Sequence, residues 1–337
     1  MLKSKINQIN QLLLDEKYNG SVLIAHQSKV IFNHHYGMAD FELDAPVSEK
    51  TKFRIASITK IFTAVAIMQL VEKGLLKEDD FILKYLKDYP KGDQITIKHL
   101  LTNSSGVGNF DLEADFYNVY HAESFNDELI NLFKNKPLLF KPGEMFSYSI
   151  SGFFILGCII EKVSNLSYEE YLKKYIFEPL KMGDSGMDYY KSILKGRAKP
   201  YDRVGKELKN TDFIDMRVAG AGGGLYSTTN DLFLFFQGLM SHQIISKGNF
   251  EKLWTNHVKI NDDTHYGYGM FLAKAEMYGV NRRKYYHTGG GPGVRSIFAY
   301  YPDDQIFCVK ITNINDSKGF NFVHSKIEEM LLMDTEV

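Results

Sequence analysis

Cysteine is almost absent from this chain. Cys158 and Cys308 are the only two in 337 residues, which excludes a disulfide framework. Each sits in an apolar run (Phe153 to Ile160, Ile306 to Val309), the setting of a buried free thiol. Excess charge of either sign is lacking too. The net charge is −1, whereas nucleic acid or an anionic membrane surface demands a clustered basic face. The short run Arg282-Arg283-Lys284 reads as a solvated loop face. No apolar stretch approaches the length of a membrane span. Between Met1 and Gly20, Asn7, Gln8, Asn10 and Gln11 interrupt the apolar core that a signal peptide keeps unbroken. A cytoplasmic protein is the simplest expectation from the chain as it stands. Metal-binding strings are missing: there is no His-Glu-x-x-His, and His34, His35, His257 and His265 lack the spacing of paired ligands. No Gly-x-x-x-x-Gly-Lys-Ser/Thr phosphate loop occurs, nor any repeat or low-complexity linker.

What is present suffices for a large core. Apolar residues make up 44% of the chain, enough for one large domain or two sub-domains. Ile6, Ile9, Leu12 and Leu13 recur at helical spacing and predict an amphipathic first helix. Ser21 to His26 and Lys29 to His34 predict two strands joined through Gln27-Ser28. An apolar run from Ile61 to Val71 predicts a helix starting at Ser57 and ending near Lys73-Gly74, with glycine as its C-terminal cap. Further helices are expected at Ile97 to Leu101, Phe153 to Val163 and Tyr168 to Leu180. The stretch Asn109 to Glu123, with Phe110, Phe116, Tyr117 and Tyr120, reads equally as a lid over an apolar pocket or as a packed loop.

From Ala219 onward, glycine and strands return. Gly222 to Ser227 leads into a helix from about Thr229; Tyr266 to Leu272, Ser296 to Tyr301 and Ile306 to Thr312 predict strands. Phe322 to Met333 predicts a last helix. Strands at both ends with helices between predict an α/β (α+β) fold: an antiparallel sheet formed from both chain termini, flanked by helices, with an inserted mostly helical sub-domain. The expected organisation is one catalytic domain over 1–337, with a sheet part at 1–55 plus 210–337 and a mostly helical part at 56–209.

Chemistry enters at Phe53-Arg54-Ile55-Ala56-Ser57-Ile58-Thr59-Lys60. On a helix, positions three apart share a face, so Lys60 stands one turn beyond Ser57 with its amine directed at the hydroxyl. A serine hydroxyl is a weak nucleophile until a neighbouring base takes its proton. An amine held away from bulk water has its pKa lowered toward that task. A helix N-terminus adds unpaired N–H groups that favour an oxyanion. The tetrad alone is weak, since about two Ser-x-x-Lys strings are expected by chance. The second, Ser192-Ile193-Leu194-Lys195, lies in a polar connection with no apolar helix behind it and reads as a surface serine.

Two further segments matter: Pro142-Gly143-Glu144-Met145-Phe146-Ser147-Tyr148-Ser149-Ile150-Ser151-Gly152-Phe153, and Tyr286-His287-Thr288-Gly289-Gly290-Gly291-Pro292-Gly293. With Ser57-Ile58-Thr59-Lys60, their order and spacing resemble the serine beta-lactamase and penicillin-binding-protein superfamily. The likeness is to its class C beta-lactamase, D-alanyl-D-alanine carboxypeptidase and esterase branch. Supporting strings are Leu100-Leu101-Thr102-Asn103-Ser104-Ser105-Gly106, Ala221-Gly222-Gly223-Gly224-Leu225-Tyr226-Ser227 and Tyr266-Gly267-Tyr268-Gly269. The resemblance covers about residues 18 to 315. It implies that Tyr148 faces Ser57 and Lys60, where an adjacent ammonium eases ionisation of the phenol and lets it relay a proton. It implies that His287, where many relatives carry lysine, lines the site with Thr288 and helps place Tyr148 or a substrate carboxylate. The N–H groups of Ser57 and Gly290 would form the oxyanion hole, with Gly289 and Gly290 leaving that strand edge clear for substrate.

One position departs from the pattern. Relatives usually read Tyr-x-Asn, and here Ile150 follows Tyr148-Ser149. In relatives the asparagine amide bonds both the lysine and an amide carbonyl of the substrate, and isoleucine does neither. The reading is therefore a serine hydrolase working through a Ser57 acyl-enzyme, with no metal or organic cofactor implied. Its expected partner is a small ester, D-amino-acid amide or peptide, or beta-lactam, the ester favoured. The rival is a non-catalytic ligand-binding or scaffold protein that retains the fold. Ile150 favours the rival; Ser57, Lys60, Tyr148 and His287 together oppose it.

Overall fold

The computed structural model describes residues 2–110 and 125–333. Phe116, Tyr117 and Tyr120 of the aromatic stretch lie outside the described residues. An eight-stranded sheet dominates. Its strands in chain order are β1 (Gly20–His26), β2 (Lys29–Tyr36), β3 (Val258–Lys259), β4 (Thr264–Tyr266), β5 (Phe271–Met277), β6 (Val280–Gly291), β7 (Val294–Tyr301) and β8 (Ile306–Thr312). They lie side by side as β3-β4-β5-β6-β7-β8-β1-β2, every neighbour antiparallel. The N-terminal hairpin thus pairs with the C-terminal strands, Ser21 opposite Ile311. The β1–β2 turn is Gln27-Ser28, both with positive φ, as a two-residue hairpin turn requires.

Alternation along the strands sends side chains into two separate cores. On one face, Val22, Ile24, Ile297 and Cys308 pack beneath α1 (Leu2–Asp15) and the last helix, Ser317–Leu332. On the other, Leu23, Phe298, Phe307 and Val309 meet the helical part of the molecule. At its centre stands α2 (Thr59–Glu72), whose residues Thr59 to Leu70 are all buried, so it is enclosed around its whole circumference. Around it pack α3 (Ile150–Ser164), α4 (Thr229–Met240) and shorter turns; we label Ser317–Leu332 α5. Among the described residues no single helix is long and apolar enough to cross a membrane.

Three expectations are corrected. Tyr266 to Leu272 is not one strand but the end of β4, a turn, and the start of β5. The turn closes through Gly267 N–H to Met270 O (2.8 Å), and Gly269 takes φ +71°. A Cβ on Gly269 would lie 2.6 Å from Lys60 O, so this turn touches the backbone of α2 only because the residue is glycine. The helix from Tyr168 widens after Leu172 into a π-helical turn that ends at Phe177, short of Leu180. Nor is Arg282-Arg283-Lys284 a solvated loop, for it lies within β6. Arg282 is buried against Asp304 and donates to Met277 O and Leu332 O, while Lys284 donates to Glu328 of α5 (2.6 Å). The run anchors the last helix, and its charge is spent internally.

The α5 side also hides an amine. Lys310 on β8 is fully buried, and its Nζ donates to Phe320 O (2.6 Å) and lies 3.7 Å from the centre of the Phe320 ring. Desolvation lowers its pKa from 10.5 to about 7. Between those values the unfolded chain binds a proton that the folded chain does not, so stability rises with pH across the window. Replacing Lys310 by methionine removes this contribution. Urea midpoints at pH 7, 8 and 9 should show wild type gaining on Lys310→Met by up to about 1.4 kcal/mol per pH unit. A difference that stays flat would mean that Lys310 remains charged in the folded protein.

Candidate active site

The stretch preceding Ser57 is pinned on both sides. Phe53–Arg54 pairs with Leu225–Ser227, Ile55 N–H donates to Leu225 O (3.0 Å), and Ser296 Oγ donates to Ile55 O (2.8 Å). Held this way, Ala56 takes φ +46°, a left-handed conformation costing about 1 kcal/mol or more for a residue with a Cβ. A 3-10 turn, Ala56–Ile58, then leads into α2. Of the residues from Ile55 to Lys60, Ser57 alone is not buried. Strand β6 packs directly on this turn: a Cβ on Gly289 would lie 2.4 Å from Ile55 O and 2.1 Å from Ser296 Oγ. Glycine is thus demanded at 289 by backbone approach to the nucleophile's own turn.

Lys60 is 0% exposed. Its Nζ lies 3.3 Å from Ser57 Oγ and donates to Gly222 O at 2.6 Å. Aromatic faces close the rest of its surroundings, with Nζ 4.6 Å from the Tyr148 ring centre and 5.3 Å from that of Phe153. Among the described residues no carboxylate pairs with it. Burial lowers its amine from 10.5 to about 7.

Tyr148 faces Ser57, whose side chain offsets part of the rise that burial gives the phenol. Its ring stacks on Phe271 (6.4 Å, 10°) and tilts against His287 (6.0 Å). The expected easier ionisation does not follow from this setting. Burial pushes the phenol up, and a Lys60 amine near neutrality supplies little positive charge to oppose it. Tyr148 therefore carries its proton. Two asparagines hold its main chain: Ser147 N–H donates to Asn103 O (2.8 Å), Ser149 N–H to Asn103 Oδ1 (3.0 Å) and Asn109 Nδ2 to Tyr148 O (3.2 Å). Ser149 Oγ accepts from Gly152 N–H and starts α3.

His287 is buried on β6 with both ring nitrogens engaged. Nδ1 lies 2.7 Å from Thr288 O and donates to it, leaving Nε2 to accept from the Tyr266 hydroxyl at 3.2 Å. Burial, then the nearby Lys60 charge, lowers its pKa to about 3. The ring is neutral and offers no cation to a substrate carboxylate. Thr288 and Gly290 are exposed. Pairing of β5 with β6 stops at Phe271–Tyr286, whereas β6–β7 pairing runs on to Gly291–Val294. Residues 287–291 are thus paired on one edge only, at the end of the strand that packs on the nucleophile turn.

The Ile150 side chain is half-buried. A Cβ built on Gly222 would lie 3.0 Å from Ile150 Cγ2, so a methyl group sits beside the carbonyl that holds Lys60. Ser192 lies in an exposed turn far along the chain from these groups. Sequence reasoning gave no role to Asn103, Asn109, Tyr266 or the Gly222 carbonyl, although all four lie in segments it singled out. Among the described residues no cluster of His, Cys, Asp and Glu is arranged to hold a metal ion.

An antiparallel sheet between helical layers, with serine, lysine and tyrosine converging where it meets the central helix, defines a serine hydrolase of the penicillin-binding kind. The Beta-lactamase family profile matches residues 14–327, and the chain belongs to that family. Penicillin-binding protein 4* of Bacillus subtilis is 29% identical over 333 residues, covering 94% of this chain and 72% of the relative. A solved penicillin binding protein from Bacillus halodurans superposes with a TM-score of 0.86 at 31% identity, covering 96% of this chain and 99% of that one. The D-amino acid amidase from Ochrobactrum anthropi shares the fold (TM-score 0.84, 22% identity, 98% and 99% covered).

Proposed function

We propose that this chain hydrolyses small uncharged carboxylic esters through a Ser57 acyl-enzyme. The observation that carries the reading is the buried Lys60 amine, 3.3 Å from Ser57 Oγ, paired with no carboxylate among the described residues and lowered to about 7. Such an amine is neutral in a large share of molecules at physiological pH and accepts the serine proton. Ser57 Oγ then bonds to the ester carbonyl carbon, and the oxyanion takes hydrogen bonds from the N–H groups of Ser57 and Gly290. As the tetrahedral intermediate collapses, the C–O bond to the alcohol breaks, and the protonated Tyr148 phenol gives its proton to the departing oxygen. The Lys60 ammonium restores that proton. Water attacks the acyl-enzyme by the same route in reverse, releasing the acid and free Ser57. His287, neutral and bonded at both nitrogens, supports the Tyr148 ring and transfers nothing itself.

Two features favour esters over peptides and beta-lactams. Ile150 lies against Gly222, whose carbonyl holds Lys60, and its side chain has no hydrogen-bonding atom, so an amide carbonyl bound there is left without a donor, at about 1–3 kcal/mol if buried. Neither Lys60 nor His287 offers a carboxylate a lasting positive charge. An ester without amide or carboxylate loses nothing by either. Ile150→Asn should therefore improve beta-lactam acylation more than ester cleavage. The ratio of kcat/KM for a p-nitrophenyl ester to that for nitrocefin is expected to fall about tenfold or more in the variant. A wild type that already prefers nitrocefin, or a ratio the variant leaves unchanged, would refute the ester assignment.

A further inference from the structure

The segment that carries Tyr148 belongs to no sheet. Residues 146–149 are irregular, and Ser149 is extended (φ −133°, ψ 121°) immediately before α3. Extended main chain presents polar groups on both edges, and here both are met by asparagine. Asn103, itself buried in the left-handed conformation (φ +54°), accepts from Ser147 N–H and Ser149 N–H on one edge. On the other, Ile150 N–H donates to Asn109 Oδ1 (2.6 Å) while Asn109 Nδ2 donates to Tyr148 O (3.2 Å). A carboxamide carries donor and acceptor side by side as a peptide unit does, so Asn109 serves as a one-residue strand partner. Its own backbone is fixed next door, where Phe110 N–H donates to Ser151 Oγ (3.0 Å). Asn109 is exposed, so this edge is the one open to solvent.

We propose that Asn109 is a positioning residue for Tyr148, holding the main chain on both sides of Ser149 so that the phenol stays on Ser57 Oγ and the departing oxygen. The inference rests on the Ser57 acyl-enzyme reading above. Position 150 contributes only its N–H to this hold, because an isoleucine side chain has no hydrogen-bonding atom. Proton delivery is sensitive to small displacements of the donor, and a tyrosine on an irregular segment has no ladder of its own to keep it in place. The effect should depend on the leaving group. A p-nitrophenolate departs without a proton, whereas an alkoxide requires one in the transition state.

The test is a double-mutant cycle on the full chain: wild type, Asn109→Ala, Tyr148→Phe and the double variant. Each is assayed for kcat/KM, which reports acylation, on the ethyl and p-nitrophenyl esters of one acid. Melting temperatures check that each protein is folded; Asn109 is exposed and alanine is tolerated sterically there. Asn109→Ala should lose about tenfold or more on the ethyl ester and about threefold or less on the p-nitrophenyl ester. In the Tyr148→Phe background, with no phenol left to place, Asn109→Ala should add no further selective loss. Equal losses on the two esters, or a selective loss that persists without the phenol, overturn the proposal. If Tyr148→Phe is itself unselective, the proton-donor role of Tyr148 falls and this role with it. If Ser57→Ala still turns over the ethyl ester, the acyl-enzyme reading fails instead.

Discussion

Replacing Ser57 by alanine is expected to abolish labelling by a fluorophosphonate and to lower ester hydrolysis on the order of ten-thousandfold or more, with the fold intact. The magnitude follows from position. Ser57 is the accessible residue at the tip of a turn whose neighbours are buried, with the Lys60 amine 3.3 Å from its oxygen and Tyr148 facing it. Intact mass after labelling, followed by mapping of the modified peptide, reads the result. Label on Ser192, or label that survives in Ser57→Ala, would place the nucleophile elsewhere. Labelling without turnover in wild type would favour the non-catalytic rival.

Lys60→Met should lower kcat/KM for ester cleavage by about a hundredfold or more while leaving the melting temperature close to that of wild type, because methionine keeps most of the buried stem. The pH profile carries the sign. Lys60 accepts a proton only when neutral, and its pKa in the folded protein is about 7. Wild-type kcat/KM should therefore fall about tenfold per pH unit below 7 and level off above it. Lys60→Met should erase that limb. Tyr148 holds its proton throughout the range, since burial raises its pKa, so it adds no second rise near neutrality. Lys60 and Tyr148 act on one oxygen, so the Lys60→Met, Tyr148→Phe double variant should be little worse than the poorer single one. Wild-type rates from Lys60→Met, or a retained limb, would mean another base.

The local parts of this arrangement were legible in the amino-acid order. Serine and lysine three apart before an apolar run place an amine one turn from a hydroxyl, and the structure puts those atoms 3.3 Å apart. Clustered apolar residues marked β1, β7 and β8, because burial on both faces leaves a clear signal, while the mostly exposed edge strand β2 was marked by its link to β1 through Gln27-Ser28. Other features escaped because their causes lie far along the chain. Whether Tyr148 ionises depends on burial by Phe271 and His287, more than a hundred positions away. Arg282 and Lys284 looked solvated until Asp304, Leu332 and Glu328 were brought against them. The turn inside Tyr266 to Leu272 was masked by aromatic residues that suit a strand, and what decides it is the approach of Gly269 to Lys60 O. Asn103 and Asn109 bond main-chain atoms some forty residues away, and polar side chains acting on distant backbone leave no periodic trace.

The pairing of β1 with β8 sets the order in which this molecule can become active during synthesis. Ser21 cannot find Ile311 until nearly the whole chain has left the ribosome, and closing so long a loop is slow compared with forming a helix. The helix bearing Ser57 and Lys60 can form early, but β6, which carries Gly289, Gly290 and His287, emerges almost three hundred residues after the start. A nascent or truncated chain thus holds a serine and a lysine without the strand that shapes their surroundings. Such a chain lacks the Gly290 N–H, half of the proposed oxyanion hole, so Ser57 should react poorly. Reactivity of Ser57 should then report that β6 has taken its place against the nucleophile turn.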